Sequence, residues 1–168
     1  MFKHKIKILA IDPGTRHMGF GVLDGEELVY HGVSVIKAGS PREKLKEGRK
    51  AILQLISDFR PDVLAVERSF FGRKCNSSLL NVLVSRIEAI GKKEGLKVIS
   101  YAPTTVRKFI CGNGWTSKKA LSEVIVSRYP ELRVYLTQDK AWKERYHQNM
   151  FDAVAIGLTA LESNFREI

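Results

Sequence analysis

Three acidic residues occupy positions at which a carboxylate contributes little to folding. Asp12 and Glu67 each end a short apolar run, and Asp152 begins the apolar stretch 153–161. Burying an unpaired carboxylate is costly, and a bound cation offsets that cost. Carboxylate and water oxygens are the ligands that Mg²⁺ and Mn²⁺ favour. Taken together, the three acids predict a metal site with oxygen ligands.

Each acid also has a purely structural interpretation. Asp12 could cap the Pro-Gly turn that follows it, and Glu67 could form a salt bridge with Arg60 or Arg68. Asp152 could be the N-cap of a last helix, a frequent use of aspartate. No single acid decides between the two interpretations, and only the combination favours a metal site.

The charge balance indicates a polyanionic partner. Lys and Arg total 28 against 18 Asp and Glu, which gives a formal net charge of +10 and a pI near 9.7. The basic residues form small groups along the whole chain, as on a folded surface that neutralises phosphates over an extended footprint. On charge alone, a solvated surface rich in Lys and Glu is the alternative.

Cysteine usage and hydropathy favour a cytoplasmic protein. Cys75 and Cys111 form neither a CxxC pair nor zinc-ligand spacing with the four histidines, so we expect free thiols. The apolar run after the basic residues 1–7 is too short for a signal peptide. The longest apolar stretch, 153–161, is about half a membrane span, so no membrane association is expected.

The elements that must position the acids follow from periodicity and turn signals. Strands are predicted at 7–12, 19–23, 27–36, 63–66 and 97–101, with Asp24-Gly25 as a hairpin signal. Helices are predicted at 77–93, 103–110, 117–129 and 148–162, and one of about 18 residues begins at Ser40-Pro41. Residues 139–147 are expected to be a polar, basic stretch before the last helix. The order βββαβαβα predicts one α/β domain over 1–168, with a five-stranded mixed sheet and helices on both faces.

Several motifs, in order and at matching spacing, resemble the RuvC-type Holliday junction resolvases over nearly the whole chain. The motifs are Ile11-Asp-Pro-Gly-Thr15 with Gly19-Phe-Gly21, Val66-Glu67 with Phe70, Tyr101-Ala-Pro-Thr-Thr-Val106, the loop 112–118, and Asp152-Ala-Val-Ala-Ile-Gly-Leu158. The resemblance implies a homodimeric endonuclease of the RNase H-like fold that cuts four-way DNA junctions in recombination and repair. It also implies Mg²⁺ or Mn²⁺ as cofactor and a branch-migration helicase as a possible partner.

The resemblance also implies roles for individual residues. Asp12, Glu67 and Asp152 would be the metal ligands. For two ions, we expect Asp12 to bridge both, Glu67 to hold one, and Asp152 with Asn149 to hold the other. Lys118 would complete the catalytic set near the scissile phosphate. Phe70 would stack on or wedge between bases at the crossover, within a DNA-binding set that comprises Phe70, Arg73, Lys74, Arg107, Lys118 and Lys119. The helix after Cys75 would carry much of the dimer interface.

The chain departs from the family pattern at one ligand position. Family members place an aspartate, or in some cases a histidine, where this chain has Asn149, and His147 lies on a poorer helical face. An amide oxygen can coordinate a hard cation but brings no negative charge. The site is therefore either a natural one with weaker binding of a second metal ion, or an inactivated version of an acidic one.

Three other functions are consistent with parts of the sequence. A junction-binding protein with weak or no cleavage would explain Asn149, and an RNase H-like factor for ribosomal RNA processing would share the fold. Asp12-Pro-Gly-Thr15 also resembles the first phosphate loop of actin-like sugar kinases and ATPases. Those folds need two such domains, for which 168 residues are too few.

Overall fold

A five-stranded mixed sheet forms the centre of the molecule. The computed structural model describes residues 5–37, 39–68, 78–136 and 141–165. The strands are β1 (Lys7–Asp12), β2 (His17–Asp24), β3 (Glu27–Val35), β4 (Val63–Glu67) and β5 (Lys97–Tyr101), in the spatial order β3-β2-β1-β4-β5. β1, β2 and β3 form an antiparallel meander, whereas β4 pairs in parallel with both β1 and β5. The predicted α/β architecture is confirmed.

Six helices of the described residues cover the two faces of the sheet. They are α1 (Pro41–Phe59), α2 (Ser78–Lys93), α3 (Pro103–Cys111), α4 (Lys118–Arg128), α5 (Arg133–Leu136) and α6 (Ala141–Asn164), with a 3₁₀ turn at Pro130–Leu132. The 3₁₀ turn and α5 were not predicted from the sequence. Within the described ranges, no helix has both the length and the apolar character needed to cross a membrane.

The first helix shows how closely local signals can define an element. The Ser40 hydroxyl accepts a hydrogen bond from the Glu43 amide, and the Glu43 carboxylate accepts one from the Ser40 amide. This reciprocal capping box and Pro41 in the first turn begin α1. Arg60 ends it in a left-handed conformation with φ 47°. The predicted start of this helix is confirmed, and its 19 residues match the expected length.

Alternate residues of the two central strands enter two different hydrophobic cores, because successive side chains of a strand point to opposite faces. The core beneath α1 and α2 takes Leu9, Ile11, Leu64 and Val66. The core beneath α3, α4 and α6 takes Ile8, Ala10, Val63 and Ala65. Asp12 lies two residues after Ala10, and Glu67 two residues after Ala65, so the same alternation places both acids on the α6 side of the sheet.

The last helix begins earlier than the sequence predicted. It starts at Ala141 rather than near Gln148, so the expected polar stretch 139–147 is wrong for its described part, 141–147. The physical reason is aromatic packing: the Tyr146 ring lies 5.3 Å from that of His17, and the His147 ring 4.8 Å from that of Tyr135. These contacts hold the first turns of α6 against the rest of the protein, although their polar, basic composition is typical of a solvent-exposed segment. Asp152 therefore lies in mid-helix, and its N-cap interpretation is wrong.

Two glycines let α6 lie almost directly on the sheet. A Cβ atom added at Gly19 of β2 would come within 1.9 Å of the Asn149 carbonyl oxygen of α6. A Cβ atom at Gly157 of α6 would lie 2.5 Å from a methyl group of Leu23 and 3.0 Å from the Ala10 Cβ atom. Gly19 is the β-sheet partner of Asp12. The close approach therefore occurs beside Asp12.

Candidate active site

Asp12 and Glu67 meet at the ends of neighbouring parallel strands. Ile11 is in register with Val66, so the residues that follow them end β1 and β4 side by side. Both acids follow the alternation that directs side chains towards α6. Asp12 is buried, with 8% of its surface exposed. Functional side chains gather at such strand ends in α/β sheets, and here the sequence places two carboxylates together.

Asp152 reaches the same region from α6 and is also buried, at 7% exposure. Its Oδ1 atom accepts a hydrogen bond of 3.0 Å from the Gln148 side-chain amide, one helical turn earlier. Its Oδ2 atom lies 3.6 Å from the Lys118 ammonium group. The Ser122 hydroxyl lies 3.0 Å from the Lys118 carbonyl oxygen and 3.4 Å from Gln148 Oε1. α4 and α6 are thus joined around the Asp152 carboxylate.

All three carboxyl groups hold their protons more strongly than usual. The pKa of Asp12 is raised well above its ordinary value by burial, and further by repulsion from Glu67 and Asp152. Burial and then Asp152 raise the pKa of Glu67 to about 7. For Asp152, burial raises the pKa although Lys118 and the Gln148 hydrogen bond lower it. Burial, and for Asp12 and Glu67 also repulsion between the acids, therefore disfavours the ionised forms of these carboxyl groups.

Two of the predicted basic residues face the acids and a third does not. Lys118, the first residue of α4 after the Ser117 N-cap, and Arg107 of α3 both lower the pKa of Glu67 and Asp152. Lys118 is an exposed lysine at the start of a helix, and it also pairs with Asp152. Lys119 instead lines a neighbouring cavity of about 170 Å³, together with Ser122, Tyr135, Leu136, Gln148 and Phe151.

Asn149 lies beside the acids but has a structural partner of its own. Its Nδ2 atom donates a 3.0 Å hydrogen bond to the His17 carbonyl oxygen of β2. An aspartate could not donate this bond, because an ionised carboxylate is an acceptor only. The Oδ1 atom of Asn149 is then the atom left for a ligand. The His147 ring nitrogen Nδ1 lies 2.9 Å from the Lys143 carbonyl oxygen, so His147 is engaged within its own helix.

Part of the predicted DNA-binding set lies outside the described residues. Phe70, Arg73 and Lys74 all fall within 69–77, as do Phe71 and Cys75. The helix expected after Cys75 is α2, Ser78–Lys93. Cys111 is a free thiol, as predicted.

Sequence reasoning missed two residues that the structure brings to the site. Gln148 was treated as the start of a helix, and Ser122 was not singled out. Gln148 precedes Asp152 by four residues, the spacing at which helix side chains meet, so a correct start for α6 would have revealed it. Ser122 has no signal in the sequence, since its proximity to Gln148 depends on how α4 packs against α6.

The chemistry of the donor set fits a hard divalent cation. Among the residues that the structure describes, no three His, Cys, Asp or Glu side chains, the predicted Asp12, Glu67 and Asp152 included, are grouped so that they could hold a metal ion by themselves. Mg²⁺ does not require such a cage, since it is usually bound by one or two carboxylates with water and substrate phosphate oxygens. The buried carboxyl groups supply oxygen donors, and a bound cation would favour their ionised forms by offsetting the burial that raises their pKa values.

The sheet order, the acids at the ends of β1 and β4 and the covering helix α6 define an RNase H-like α/β protein. Two solved structures have the same fold. A structure of Thermus thermophilus RuvC matches with a TM-score of 0.72 and 23% identity, covering 94% of this chain and 95% of that one. The T. thermophilus RuvC complex with a Holliday junction substrate matches with a TM-score of 0.73 and 21% identity, covering 96% and 97%.

Sequence similarity then identifies the family. The family model described as crossover junction endodeoxyribonuclease RuvC matches residues 8–159. The protein of that name from Prochlorococcus marinus subsp. pastoris is 30% identical over 163 residues, covering 93% of this chain and 96% of its own. The Myxococcus xanthus protein of that name is 31% identical over 163 residues, covering 93% and 80%. The chain belongs to the RuvC family of crossover junction endodeoxyribonucleases, and the predicted resemblance is confirmed.

Proposed function

We propose that this chain is a structure-selective endonuclease that resolves four-way (Holliday) DNA junctions by phosphodiester hydrolysis in recombination and repair. The observation that carries the proposal is the convergence of Asp12, Glu67 and Asp152 beneath Lys118 and Arg107. The family's activity on crossover junctions supplies the substrate class. The net charge of +10 is of the sign that a DNA substrate requires.

The RuvC family is metal-dependent, and the residues of this chain suit that chemistry. Asp12, Glu67 and Asp152 would hold Mg²⁺ or Mn²⁺, with two ions per site and with Asn149 Oδ1 as an uncharged additional donor. Such ions, when bound, activate a water nucleophile and stabilise negative charge on the phosphoryl and leaving oxygens. The raised pKa values of the three acids support this role, because a cation would relieve both the burial cost and the mutual repulsion.

The basic residues around the acids would act directly on the DNA strand. Lys118 and Arg107 would bring positive charge to the scissile phosphate and hold it over the carboxylates. Lys119, Arg73 and Lys74 would contact phosphates further along, and Phe70 would stack on bases at the crossover. Base–aromatic stacking tolerates many sequences, which suits an enzyme that recognises a branch rather than a sequence.

The shape of the substrate supports a dimer. A four-way junction has approximate two-fold symmetry, so a symmetric homodimer can present one active site to each of two strands. The proposal therefore includes a homodimer, with α2 contributing to the interface. It also includes a branch-migration helicase as partner and the cytoplasm as the place of action.

Cleavage of a synthetic four-way junction tests the proposal. We expect paired, symmetrically placed cuts with Mg²⁺ or Mn²⁺, no cuts without a divalent ion, and little cleavage of linear duplex of the same sequence. Asp12→Asn is expected to abolish cleavage, whereas Asp58→Asn, at an exposed position on α1, is the matched control and should not. Equal cleavage of junction and duplex would contradict the substrate assignment, and preferred cleavage of structured RNA would favour the RNA-processing alternative.

The same assay with Asn149→Asp separates the nuclease from a junction-binding protein that does not cut. We expect both forms to cut, with the aspartate form needing less metal, because the charged donor that its carboxylate adds outweighs the lost hydrogen bond to the His17 carbonyl oxygen. If the aspartate form bound junctions and still left them uncut, the endonuclease proposal would be wrong.

A further inference from the structure

The most exposed large apolar side chain of the described residues lies between the two helices that supply the site's cations. Trp115 is 88% exposed. It belongs to the segment 112–117, which joins α3, the helix of Arg107, to α4, whose first residue is Lys118. Three residues of chain span at most about 11 Å. The indole therefore lies within reach of a strand whose phosphate sits at Lys118.

A hydrogen-bonded turn in the segment 112–117 holds the Trp115 ring in solvent. The Trp115 amide donates a 3.0 Å hydrogen bond to Asn113 Oδ1, and the Thr116 hydroxyl donates one of 2.6 Å to the Asn113 carbonyl oxygen. A Cβ atom at Gly114 would lie 3.0 Å from the Thr104 carbonyl oxygen, so the turn packs closely on the start of α3. A ring presented on a preformed turn loses little further conformational freedom when it binds.

The charges around Trp115 identify the kind of partner. Residues 107–119 contain four basic residues, Arg107, Lys108, Lys118 and Lys119, and no acidic residue. A second copy of this chain, whose net charge is +10, offers no overall charge complementary to this basic segment, and the proposed dimer interface involves α2 instead. A nucleic acid supplies the complementary charge together with flat aromatic faces on which an indole stacks.

We propose that Trp115 stacks on a nucleobase whose face is uncovered at the branch point of a DNA junction, next to the strand that enters the acidic cluster. Within a continuous duplex both faces of every base are covered by neighbours, whereas bases that flank a crossover lose one neighbour. Trp115 would thus recognise the branch point by the base face that is exposed there. This inference rests on the proposed function and adds a second aromatic contact, separate from Phe70.

Tryptophan fluorescence tests the contact directly, because the chain contains only two tryptophans, Trp115 and Trp142. Trp142→Phe leaves Trp115 as the single indole, and Trp115→Phe leaves Trp142, which is 56% exposed on α6. Each variant is titrated with a four-way junction and with a duplex of equal length, without divalent ions so that no cleavage occurs. We expect junction DNA to quench Trp115 strongly, duplex to quench it weakly, and Trp142 to respond little to either.

Affinity measurements separate stacking from charge. Trp115→Ala is expected to weaken junction binding about tenfold, and Trp115→Phe much less, since phenylalanine also stacks. The slope of log affinity against log salt should stay unchanged in Trp115→Ala, because no cation is lost. Trp142→Ala is the matched control and should leave junction affinity unchanged. Thermal melting of Trp115→Ala should match that of the unsubstituted chain, since the side chain is almost fully exposed.

The outcomes distinguish the inference from the proposed function. If the unsubstituted chain binds junctions and Trp115 emission does not change, the stacking inference is wrong and the nuclease proposal stands. Equal quenching by duplex and junction would mean a contact to the backbone or groove and would also overturn it. If the unsubstituted chain showed no preference for junctions, the proposed function would fail first and the inference with it.

Discussion

At the level of single residues, the acids Asp12, Glu67 and Asp152 lower the stability of the fold and serve its function. Asp12 and Asp152 are almost fully buried, burial raises the pKa values of all three acids, and repulsion from neighbouring acids raises those of Asp12 and Glu67 further. In a site built only for folding, such carboxylates would be replaced by apolar residues of similar size at little cost. Their presence at the ends of two strands and on the helix above them therefore indicates a ligand that the chain itself does not provide.

The raised pKa values predict how metal-free stability depends on pH. The folded chain binds protons at Glu67 more tightly than the unfolded chain, so its contribution to stability is full below the unfolded pKa of 4.5 and is lost as pH rises through about 7. Asp12→Asn removes one of the repelling charges and should raise the free energy of unfolding at pH 8 by about 1–3 kcal/mol, since one pKa unit corresponds to about 1.4 kcal/mol. Urea denaturation at pH 5 and pH 8, without metal, measures both effects.

The control for this prediction is Asp58→Asn, which removes the same charge from an exposed position on α1. It should change stability at pH 8 by less than about 0.5 kcal/mol. Saturating Mg²⁺ should stabilise the unsubstituted chain by about 3 kcal/mol at a hundredfold excess over its dissociation constant. Asp12→Asn should gain much less. A loss of stability in Asp12→Asn at pH 8 would contradict the electrostatic account of the cluster.

Gln148 is predicted to set the pH range in which Asp152 is ionised. Its side-chain amide donates to Asp152 Oδ1, and this bond lowers the pKa of that carboxyl. Gln148→Leu keeps the side-chain size and removes the donor, so the Asp152 pKa should rise further. The acid limb of the pH profile of junction cleavage should then move to higher pH. Initial cleavage rates between pH 5.5 and 9 measure the shift.

A matched control exists elsewhere in the chain. On α1 the Gln54 amide donates to Asp58 Oδ1 at 2.8 Å with the same four-residue spacing. Gln54→Leu removes an equivalent hydrogen bond from a position outside the site and should leave the pH profile of cleavage in place. A uniform loss of activity at every pH in Gln148→Leu, with no movement of the acid limb, would count against a positioning role for Gln148.

At the level of elements, the decisive arrangement is α6 lying on β1 and β2. The helix carries Asp152 and Asn149 to the strand ends where Asp12 and Glu67 lie. Gly19 permits this approach, because any side chain there would strike the α6 backbone at Asn149. The aromatic contacts of Tyr146 and His147 hold the first turns of α6 against β2 and α5. Sheet and helix therefore have to be assembled before the acids form a cluster.

Gly19→Ala is expected to displace α6 and impair both folding and cleavage. The added Cβ atom would lie 1.9 Å from the Asn149 carbonyl oxygen, so the backbone itself has to move. Overpacking of this kind costs about 1–3 kcal/mol or more, and the displacement would separate Asp152 from Asp12. Thermal melting gives the cost in stability. Cleavage at a temperature where the variant remains folded should be reduced at least about tenfold, since small misplacements in an active site cost of that order or more.

Gly39→Ala is the control for this prediction, because it adds the same methyl group where no described atom lies within 4 Å. It should be neutral in both assays. Wild-type cleavage by Gly19→Ala would show that the close contact between α6 and β2 is not needed to position the acids.

At the level of the whole molecule, opposite charges occupy different places. Asp12, Glu67 and Asp152 form a cluster at the ends of the central strands β1 and β4, whereas the chain as a whole carries +10. The positive surface attracts DNA over a distance, and the negative centre requires a cation before a phosphate can approach it. Because the positive charge is spread over the surface and the three carboxyl groups are largely buried, one chain can bind DNA strongly and still have acidic residues at its active site.

The net charge predicts steep salt dependence of junction binding. Log affinity should fall linearly with log salt, with a slope of about −0.9 for each phosphate neutralised. Lys119→Ala should reduce the magnitude of that slope by about one and weaken binding to all DNA forms alike. Lys50→Ala, at an exposed position of α1 on the opposite face of the sheet, is the control.

Electrophoretic mobility shift titrations between 50 and 200 mM salt measure the slope, because affinity changes most clearly over this range when phosphate contacts are lost. An unchanged slope in Lys119→Ala would remove Lys119 from the DNA-binding set.

The sequence by itself determined the strands, the start of α1 and the two acids at strand ends. These features depend on neighbouring residues: the alternation along β1 and β4, the capping box of Ser40 and Glu43, and a carboxylate directly after an apolar run. The motif order also determined the family. Each of these signals is contained in a few consecutive residues or in their spacing, so it can be recognised without knowing how distant segments pack.

Only the tertiary structure decided where α6 begins, that Gln148 supports Asp152, and that Lys118 faces the acids while Lys119 does not. It also showed that Asn149 donates to the His17 carbonyl, 132 residues away in the chain. These arrangements depend on aromatic contacts between segments far apart in sequence, and on a close approach of such segments that glycine allows. Such contacts depend on the shapes of both partners at once, and no local pattern encodes them.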